Sequence, residues 1–222
     1  MKILAIGSHP DDIELFMFGL LNLYHEKGEQ IFLAIVTDGR AGGNDQKNLV
    51  EIRRKETINA LSLLGMPYFF DFEDGKLFEN QICLKTVGDY IKNINPDLII
   101  THSPTDYHPD HRYISEYITN FCSFNFPLIY SENLMGINFY PDYYVDISSY
   151  FESKKKAILN HKSQNPKRLL EFITFMNTFR ALQCNLKTSQ YVECFKLNKN
   201  FPYNDISYLI PNIVKPNSFK LV

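Results

Sequence analysis

The segment KILAIGSHPDD at residues 2–12 carries the clearest structural signal in the chain. Its apolar run at 2–8 is rich in Ile and Leu and is too short for a helix, as expected of a buried parallel strand. Over residues 12–27 the apolar side chains recur at helical spacing, and Gly28 ends the pattern. The segment therefore predicts a strand, a polar turn and a helix, which together form one βα unit.

Three further βα units follow along the chain. The predicted strand and helix pairs are residues 31–37 with 47–64, 68–72 with 81–94, and 97–102 with about 110–121. Four consecutive units predict an α/β fold, a Rossmann-like, doubly wound, mostly parallel sheet with helices on both faces. We expect the common strand order 3-2-1-4-5, in which the first and fourth strands are neighbours.

The last third of the sequence is less regular. It predicts strands at 128–131, 143–147 and 191–197 and helices at 148–163 and 169–182. We expect a single domain over residues 1–222, with a Rossmann-like core at about 1–125 and an extension of the same domain at about 126–222. The tail after Asn198 contains three prolines, and we predict no element for it.

Composition and charge restrict the function classes. With 222 residues, of which 45% are hydrophobic and 22% charged, the chain can bury one sizeable core. A net charge of -2 and an isoelectric point near 6.3 provide no electrostatic footprint for nucleic acid or an anionic membrane. A small-molecule substrate is therefore expected.

Cysteine usage and hydropathy predict a reducing compartment. The four cysteines form no CxxC pair, so free buried thiols are expected. No apolar stretch approaches the roughly 20 residues that span a bilayer, and His9 interrupts the N-terminal run too early for a signal peptide. We therefore expect a cytoplasmic protein without a transmembrane segment, and a homo-oligomer is compatible with the sequence.

Histidine and aspartate residues cluster in two loops that directly follow buried strands. His9-Pro10-Asp11-Asp12 follows the first predicted strand, and His108-Pro109-Asp110-His111 follows the fourth. In the strand order 3-2-1-4-5 the connections after these strands leave in opposite directions, and ligands bind in the crevice beyond the carboxyl ends. The fold would therefore bring both loops to one site.

Together the two loops can supply a catalytic metal site. Such a site usually has three protein ligands and one open position, and we predict His9, Asp12 and His111 as the ligands of one ion per chain. Nitrogen and oxygen donors without thiolate suit Zn²⁺, and Fe²⁺, Co²⁺ or Mn²⁺ would also fit. His102, at the end of the fourth strand, is expected beside the ligands or in the core rather than on the metal.

The remaining loop residues are candidates for the chemistry. Asp11 lies between two ligands and is free to act as a base on a bound water. His108 is a candidate for stabilising negative charge, with Asp110 as its orienting partner. Helix capping is the alternative for Asp11 and Asp12, since Asp is common at helix starts. Capping does not explain why three of the six histidines cluster in these loops.

At these motifs the sequence resembles the LmbE-like, PIG-L-type N-deacetylase family, whose members include the deacetylases of mycothiol and bacillithiol biosynthesis. The resemblance covers most of the chain. The family motif HPDDxE is matched at residues 9–14, and HPDH is matched at 108–111. Three further patterns match, namely RxxE at Arg53 and Glu56, HxSQ at His161, Ser163 and Gln164, and YxExF at Tyr191, Glu193 and Phe195.

The resemblance implies a zinc-dependent N-deacetylase with a Rossmann-like fold. It implies zinc bound by His9, Asp12 and His111. It also implies Asp11 as general acid and base and His108 as stabiliser of the tetrahedral oxyanion. The implied substrate is N-acetylglucosamine joined to another group, and the products are acetate and a free amine.

The substrate contacts are less constrained. The resemblance implies that Arg53 contacts substrate, although a salt bridge with Glu51 or Glu56 on the same predicted helix is the alternative. Asp106 and Tyr107, just before the second motif, are further candidates because members of the family differ there. These differences leave open which group is attached to the sugar.

Other classes of protein fit less well. A dinucleotide-binding protein is disfavoured, because the first strand leads into GSHPDDIE rather than GxGxxG and the sequence has no P-loop motif. A non-catalytic binding protein is disfavoured by the complete set of ligand and base candidates. The main alternative is a metal-dependent hydrolase of a non-sugar amide or an ester.

Overall fold

The computed structural model describes residues 1–43, 48–79, 81–185, 190–199 and 206–214, with the backbone alone at 79 and 81–83. The strands, named β1 to β7 in chain order, are Lys2–Gly7, Gln30–Thr37, Tyr68–Phe72, Leu98–His102, Leu128–Ser131, Tyr143–Asp146 and Val192–Leu197. The helices, named α1 to α7, are Asp12–Phe16, Phe18–Glu26, Leu49–Ala60, Gln81–Ile94, Pro109–Cys122, Phe151–Ile158 and Pro166–Gln183.

The strands form one mixed sheet in the order β3-β2-β1-β4-β5-β7-β6. β1 pairs in parallel with β2 and β4, β2 with β3, and β4 with β5, so the predicted order 3-2-1-4-5 is confirmed. β7 runs antiparallel to both β5 and β6. The last third of the chain thus extends the same sheet with an antiparallel edge, and the expected single domain stays a prediction.

Helices cover both faces of the sheet. In β1, Ile3 and Ala5 join an apolar cluster with residues of α1, α2, α6 and α7, whereas Leu4 and Ile6 join a second cluster with residues of α4 and α5. A strand that is covered on both faces has no polar side, which is why its sequence is an unbroken apolar run. The predicted doubly wound α/β fold is confirmed.

The predicted helix at 12–27 is wrong in one respect, because it is broken at Met17 into α1 and α2. Met17 has φ -133° and ψ -12°, outside the helical region. The N–H groups of Gly19 and Leu20, at the start of α2, donate to the two carboxylate oxygens of Glu193 on β7, each at 2.8 Å. Glu193 is distant in sequence, so no local pattern could have predicted the break.

Two later helices differ from their predicted bounds. The predicted helix at 148–163 is shorter, since 3₁₀ turns at Ser148–Tyr150 and Lys162–Gln164 flank α6. The second of these turns contacts Glu14 of α1 and Glu56 of α3 and does not continue the helix. α7 begins at Pro166 rather than at residue 169, because proline is well suited to the first helical turn.

Part of the C-terminal tail packs back onto the fold. The hydroxyl of Tyr24 on α2 donates to the carbonyl oxygen of Leu209 at 2.8 Å, and Ile213 forms an antiparallel bridge with Val145 of β6. The other parts of the tail lie outside the described residues. Among the helices that the structure describes, none is long and apolar enough to cross a membrane.

Candidate metal centre

The pairing of β1 with β4 brings the two His/Asp loops together. Ile3 lies opposite Leu98 in this parallel pair, so the chain leaves both strands at the same edge of the sheet. The backbone N–H of Ser8 donates to Nε2 of His102 at 3.0 Å, which joins the ends of the two strands directly. The crevice beyond the carboxyl ends therefore contains residues of both loops.

The three predicted metal ligands converge in this crevice. Nδ1 of His9 lies 3.1 Å from Nε2 of His111 and 3.4 Å from Oδ2 of Asp12. Nε2 of His111 lies 3.3 Å from Oδ1 of Asp12. All three residues are buried. Atoms with this spacing fit ligands that surround one ion at about 2.0–2.2 Å.

The described residues contain three overlapping groups that could hold a metal. They are His9, His108 and His111; Asp12, His102 and His111; and His9, Asp74 and Asp110. Because the groups share His9 or His111, they belong to one cluster. Its nitrogen and oxygen donors suit Zn²⁺, with Fe²⁺, Co²⁺ and Mn²⁺ as alternatives.

Carboxylates contact the outer nitrogen of each predicted histidine ligand. Oδ2 of Asp106 lies 2.9 Å from Nδ1 of His111. Nε2 of His9 lies 3.1 Å from Oδ1 of Asp74 and 3.3 Å from Oδ2 of Asp110. A carboxylate in this place fixes the tautomer and the ring orientation of a metal-binding histidine. The inner nitrogens, Nδ1 of His9 and Nε2 of His111, consequently face the centre of the cluster.

The same carboxylates shift the pKa of both histidines. Burial alone would lower the pKa of His9, but hydrogen bonds with three aspartates, Asp110 first among them, raise it well above its ordinary value. Burial also lowers the pKa of His111, but Asp12 and Asp106 outweigh it and raise the pKa to about 9. The surroundings of the cluster therefore favour positive charge at its centre.

The neighbours Asp11 and Asp12 have opposite electrostatic surroundings. Burial raises the pKa of Asp12, but His111 and His102 outweigh it and bring the pKa well below its ordinary range. At Asp11 burial prevails over the opposing charge of Arg53, and the pKa rises to about 6. The surroundings thus favour the charged form of Asp12 and bring the pKa of Asp11 closer to neutral pH.

The charges of the cluster fit a divalent cation. Five largely buried aspartates lie around the histidines, and the guanidinium of Arg53 pairs with one of them, Asp11. Buried carboxylates are costly unless cations compensate them. A metal ion bound by the inner nitrogens and Asp12 would supply this charge. The five aspartates are Asp11, Asp12, Asp74, Asp106 and Asp110.

Asp11 adopts a strained conformation at the start of α1. Its φ of 116° lies in the left-handed region, which costs a residue other than glycine roughly 1–3 kcal/mol. Its side chain makes no capping hydrogen bond to the helix. Instead Oδ2 of Asp11 accepts from the guanidinium of Arg53 at 3.1 Å. The capping alternative therefore does not account for Asp11.

Arg53 is buried between the loops that follow β1 and β2. Its guanidinium donates to the carbonyl oxygens of Gly39 and Pro10 as well as to Asp11, rather than to the glutamates of its own helix. A Cβ at position 42, which is a glycine, would overlap the guanidinium in its present position. Arg53 also lines the cavity described below, and its predicted contact with substrate stays a prediction.

His108 lines the cavity, and its predicted partner Asp110 contacts it through the backbone. Its ring meets that of His9 edge-on, with centroids 4.6 Å apart, and burial together with the neighbouring histidines lowers its pKa. Asp110, the expected partner of His108, donates its backbone N–H to Nδ1 of His108 at 3.3 Å. The Asp110 carboxylate accepts from the backbone N–H of Gly75 at 2.8 Å and lies beside His9. The role of Asp110 in orienting His108 stays a prediction.

The two predicted substrate residues before His108 have different positions. Tyr107 is half exposed and lines the cavity. Asp106 is buried, with one oxygen accepting from the backbone N–H of His108 at 2.9 Å and the other contacting His111. Its position favours orienting the second motif over touching substrate.

Four further residues belong to the site or its support. Asp74 was missed, although it follows β3 as the first motif follows β1, and the rule that ligands bind beyond parallel strand ends could have found it. Glu14 and His161 form a buried ion pair at 2.8 Å, a pairing between distant segments that no motif predicted. His102 stacks on His111 with centroids 3.7 Å apart, and its expected place beside the metal rather than on it stays a prediction.

A cavity of about 240 Å³ lies over the cluster. Its polar lining includes His9, Asp11, Asp12, Arg53, Asp74, Tyr107, His108 and His111, and its apolar lining includes Leu15, Phe16, Leu134 and Leu169. A larger cavity of about 570 Å³, beside α7, is lined by none of the predicted site residues. We assign the site to the smaller cavity because the titratable cluster lies there.

The chain is similar to known deacetylases. The PIG-L family model, described as GlcNAc-PI de-N-acetylase, matches residues 4–122, more than half of the chain. The diacetylchitobiose deacetylase of Thermococcus kodakarensis is 28% identical over 216 residues, which cover 86% of this chain and 81% of that protein.

Two solved structures share the fold. The N,N'-diacetylchitobiose deacetylase from Pyrococcus horikoshii aligns with a TM-score of 0.79 at 23% identity, over 94% of this chain and 88% of that chain. A 4-carboxy-2-hydroxymuconate hydratase from Pseudomonas putida aligns with a TM-score of 0.77 at 20% identity, over 92% and 98%. At these identities the likeness shows the fold alone.

The expected resemblance to the mycothiol and bacillithiol deacetylases stays a prediction. Because the matched residues include both motifs of the crevice, the chain belongs to the PIG-L family of deacetylases.

Proposed function

We propose that the protein is a zinc-dependent N-deacetylase that hydrolyses the acetamide of an N-acetylglucosamine-type sugar conjugate to acetate and a free amine. The contrast between two adjacent carboxylates carries the proposal. Asp12 faces His9 and His111, whereas Asp11 pairs with Arg53 at the cavity. A metal ligand and a proton acceptor therefore stand side by side. The similarity to a diacetylchitobiose deacetylase supports a sugar substrate.

His9, Asp12 and His111 would hold the ion. A divalent metal held by them would supply Lewis-acid chemistry, lowering the pKa of a water and polarising the acetyl carbonyl. The contacts of Asp74 with His9 and of Asp106 with His111 occupy the outer nitrogens, so the inner nitrogens stay directed at the ion.

Asp11 is the proposed general base and general acid. Arg53 holds one oxygen of its carboxylate, and the second oxygen is the proposed acceptor of a proton from the attacking water. The same carboxyl group then returns the proton to the nitrogen of the leaving amine. One residue thus serves both proton transfers, and Asp11 ends the reaction in the protonation state in which it began.

His108 is the proposed donor to the developing oxyanion. The backbone N–H of Asp110 donates to its Nδ1, so a neutral His108 ring carries its proton on Nε2. This second N–H would stabilise the oxygen of the tetrahedral intermediate more strongly than the ground-state carbonyl. The half-exposed Tyr107 is the proposed contact for the sugar hydroxyl groups.

The main alternative is a metal-dependent hydrolase of a non-sugar amide or an ester. The same ligands and base would serve it, because metal-assisted attack of water on an acyl carbon is common to these reactions. The residues proposed to carry out the reaction lie in the cluster, whereas residues at the rim of the cavity would select which leaving group is accepted. A comparison of substrates therefore distinguishes the two functions.

The proposed substrate class predicts the ranking in a substrate panel. We expect zinc-loaded protein to release amine from N-acetylglucosamine conjugates faster than from N-acetyl amino acids, and faster than it hydrolyses acetyl esters. Released amine and acetate are quantified together, and chelator-treated protein should be inactive until zinc is restored. Preference for esters or amino acid amides would favour the alternative, and failure to hydrolyse any member would refute the proposal.

The amide variants of the two aspartates should fail differently. Asp12→Asn replaces an anionic ligand with a neutral one, so zinc content should fall and excess zinc should restore part of the activity. Asp11→Asn keeps the ligands but removes the proton acceptor, so kcat should fall by roughly 10²- to 10⁴-fold at normal zinc content. Elemental analysis and kinetics on the best substrate measure both quantities.

Asp89→Asn, at an exposed position of α4, is the matched control for the loss of one charge. It should leave zinc content and kcat unchanged. Loss of zinc from the Asp11 variant would mean that the two roles must be exchanged. Retention of both zinc and activity by the Asp12 variant would contradict its assignment as a ligand.

Arg53→Ala should impair turnover while leaving the metal in place, because the guanidinium holds Asp11 and lines the cavity. We expect kcat/KM to fall by about 10²-fold. Arg53→Lys should be intermediate, since one ammonium does not reproduce the guanidinium fork. A raised KM would indicate substrate contact, and a lowered kcat alone would indicate positioning of Asp11.

Arg54→Ala, which breaks a surface pair with Asp71, is the control. Unchanged kinetics of Arg53→Ala would remove both roles.

A further inference from the structure

A ring of largely buried polar contacts joins three segments around Asp11. The segments are the first turn of α1, the middle of α3 and the turn at residues 161–164. The three contacts are Arg53 with Asp11, Glu56 with Ser163, and His161 with Glu14. The contacts form a closed ring, which runs from Asp11 to α3, from α3 to the turn at 161–164, and from that turn back to Glu14 on α1.

The contact between Glu14 and His161 is completely buried. Nε2 of His161 donates to Oε1 of Glu14 at 2.8 Å, and the residues are 0% and 1% exposed, respectively. Burial lowers the pKa of His161, but the charge of Glu14 outweighs it and gives a net rise. A buried ion pair is weak evidence for stability, since apolar residues of similar volume often stabilise a core more. Its place beside the site therefore needs another explanation.

The contact between Glu56 and Ser163 begins on the helix that also holds Asp11. Ser163 donates to the Glu56 carboxylate through its backbone N–H at 2.9 Å and through its hydroxyl at 2.6 Å. Glu56 follows Arg53 by three residues, so both lie on one face of α3. α3 therefore fixes Asp11 with one side chain and the turn at 161–164 with another.

The ring is not built for maximal stability. Among the described residues, Oε2 of Glu14, Nδ1 of His161 and Nε of Arg53 are buried and have no hydrogen-bond partner. Buried polar atoms that lack a partner cost free energy of folding. A role in catalysis explains such an arrangement better than a role in folding.

Such a ring would hold the strained backbone of Asp11 in place. A residue in the left-handed region persists only where its surroundings over-determine it. The guanidinium of Arg53 holds the side chain of Asp11. The carbonyl oxygen of Asp11 accepts from the N–H of Leu15 at 3.0 Å. Glu14 lies three residues further along α1, on the same face as Asp11. His161 therefore anchors the turn that begins at Asp11.

We propose that Glu14 and His161 are positioning residues for the deacetylation. Their ion pair anchors the first turn of α1 to the turn at 161–164 and thereby holds Asp11 in its left-handed conformation, with its carboxylate at the cavity. Neither residue lines the cavity, so they act through Asp11. The inference rests on the proposed function, in which Asp11 is the general base.

The test compares His161→Ala with His161→Gln in zinc-loaded protein. The alanine variant lacks the donor to Glu14, and its kcat should fall by about 10²-fold, the cost of a small misplacement of a catalytic group. Zinc content and KM should stay near the wild-type values. The glutamine variant offers an amide N–H at a similar reach and should recover much of the kcat. A merely structural role would lower the melting temperature without this pattern.

Glu132→Gln is the matched control, because it alters another buried ion pair, with Arg180, and neither residue lines the catalytic cavity. Its melting temperature should fall while its kcat is kept. If His161→Ala does not fold, Glu14→Gln takes its place, since it preserves the side-chain volume and weakens the same contact.

A crystal structure of the His161 or Glu14 variant gives a readout that is independent of catalysis. Asp11 should leave its left-handed conformation or move its carboxylate away from Arg53. If the wild-type protein hydrolyses no acetamide, the proposed function fails and this conformation alone decides the inference. An unchanged kcat in an active enzyme, or an unchanged geometry at Asp11, would overturn it.

Discussion

The parallel pairing of β1 with β4 is the constraint on which the site depends. Because the two strands are neighbours and point the same way, the loops that follow them begin side by side. The hydrogen bond from Ser8 to His102 fixes the two strand ends against each other. The predicted ligands His9 and His111, which are 102 residues apart in sequence, thus lie close together, as expected beyond the carboxyl ends of a doubly wound sheet.

Within that frame, the backbone of one residue separates two similar side chains. Asp11 and Asp12 are neighbours, yet the left-handed conformation of Asp11 leaves its carboxylate with Arg53 while that of Asp12 lies among the histidines. Their pKa values shift in opposite directions for this reason. Strain at such a position is typical of functional sites, where the surrounding structure holds it in place.

The sequence predicted what depends on local patterns and on the topology of βα units. The order of the parallel strands and the convergence of His9, Asp12 and His111 follow from buried apolar runs and from the loops that end them. The break at Met17 was not predictable, because the N–H groups that follow it bind Glu193 of a distant strand. The same holds for the contacts of Asp110, Glu14 and His161, since side-chain partners between distant segments depend on packing that no motif records.

The central claim is that one ion lies between the inner nitrogens of the two histidine ligands and Asp12. Anomalous diffraction at the zinc absorption edge, from crystals of the zinc-loaded protein, tests it most directly. The account predicts one peak per chain, about 2.0–2.2 Å from Nδ1 of His9, Nε2 of His111 and a carboxylate oxygen of Asp12. A peak bound instead by Nε2 of His9 together with Asp74 and Asp110 would contradict it.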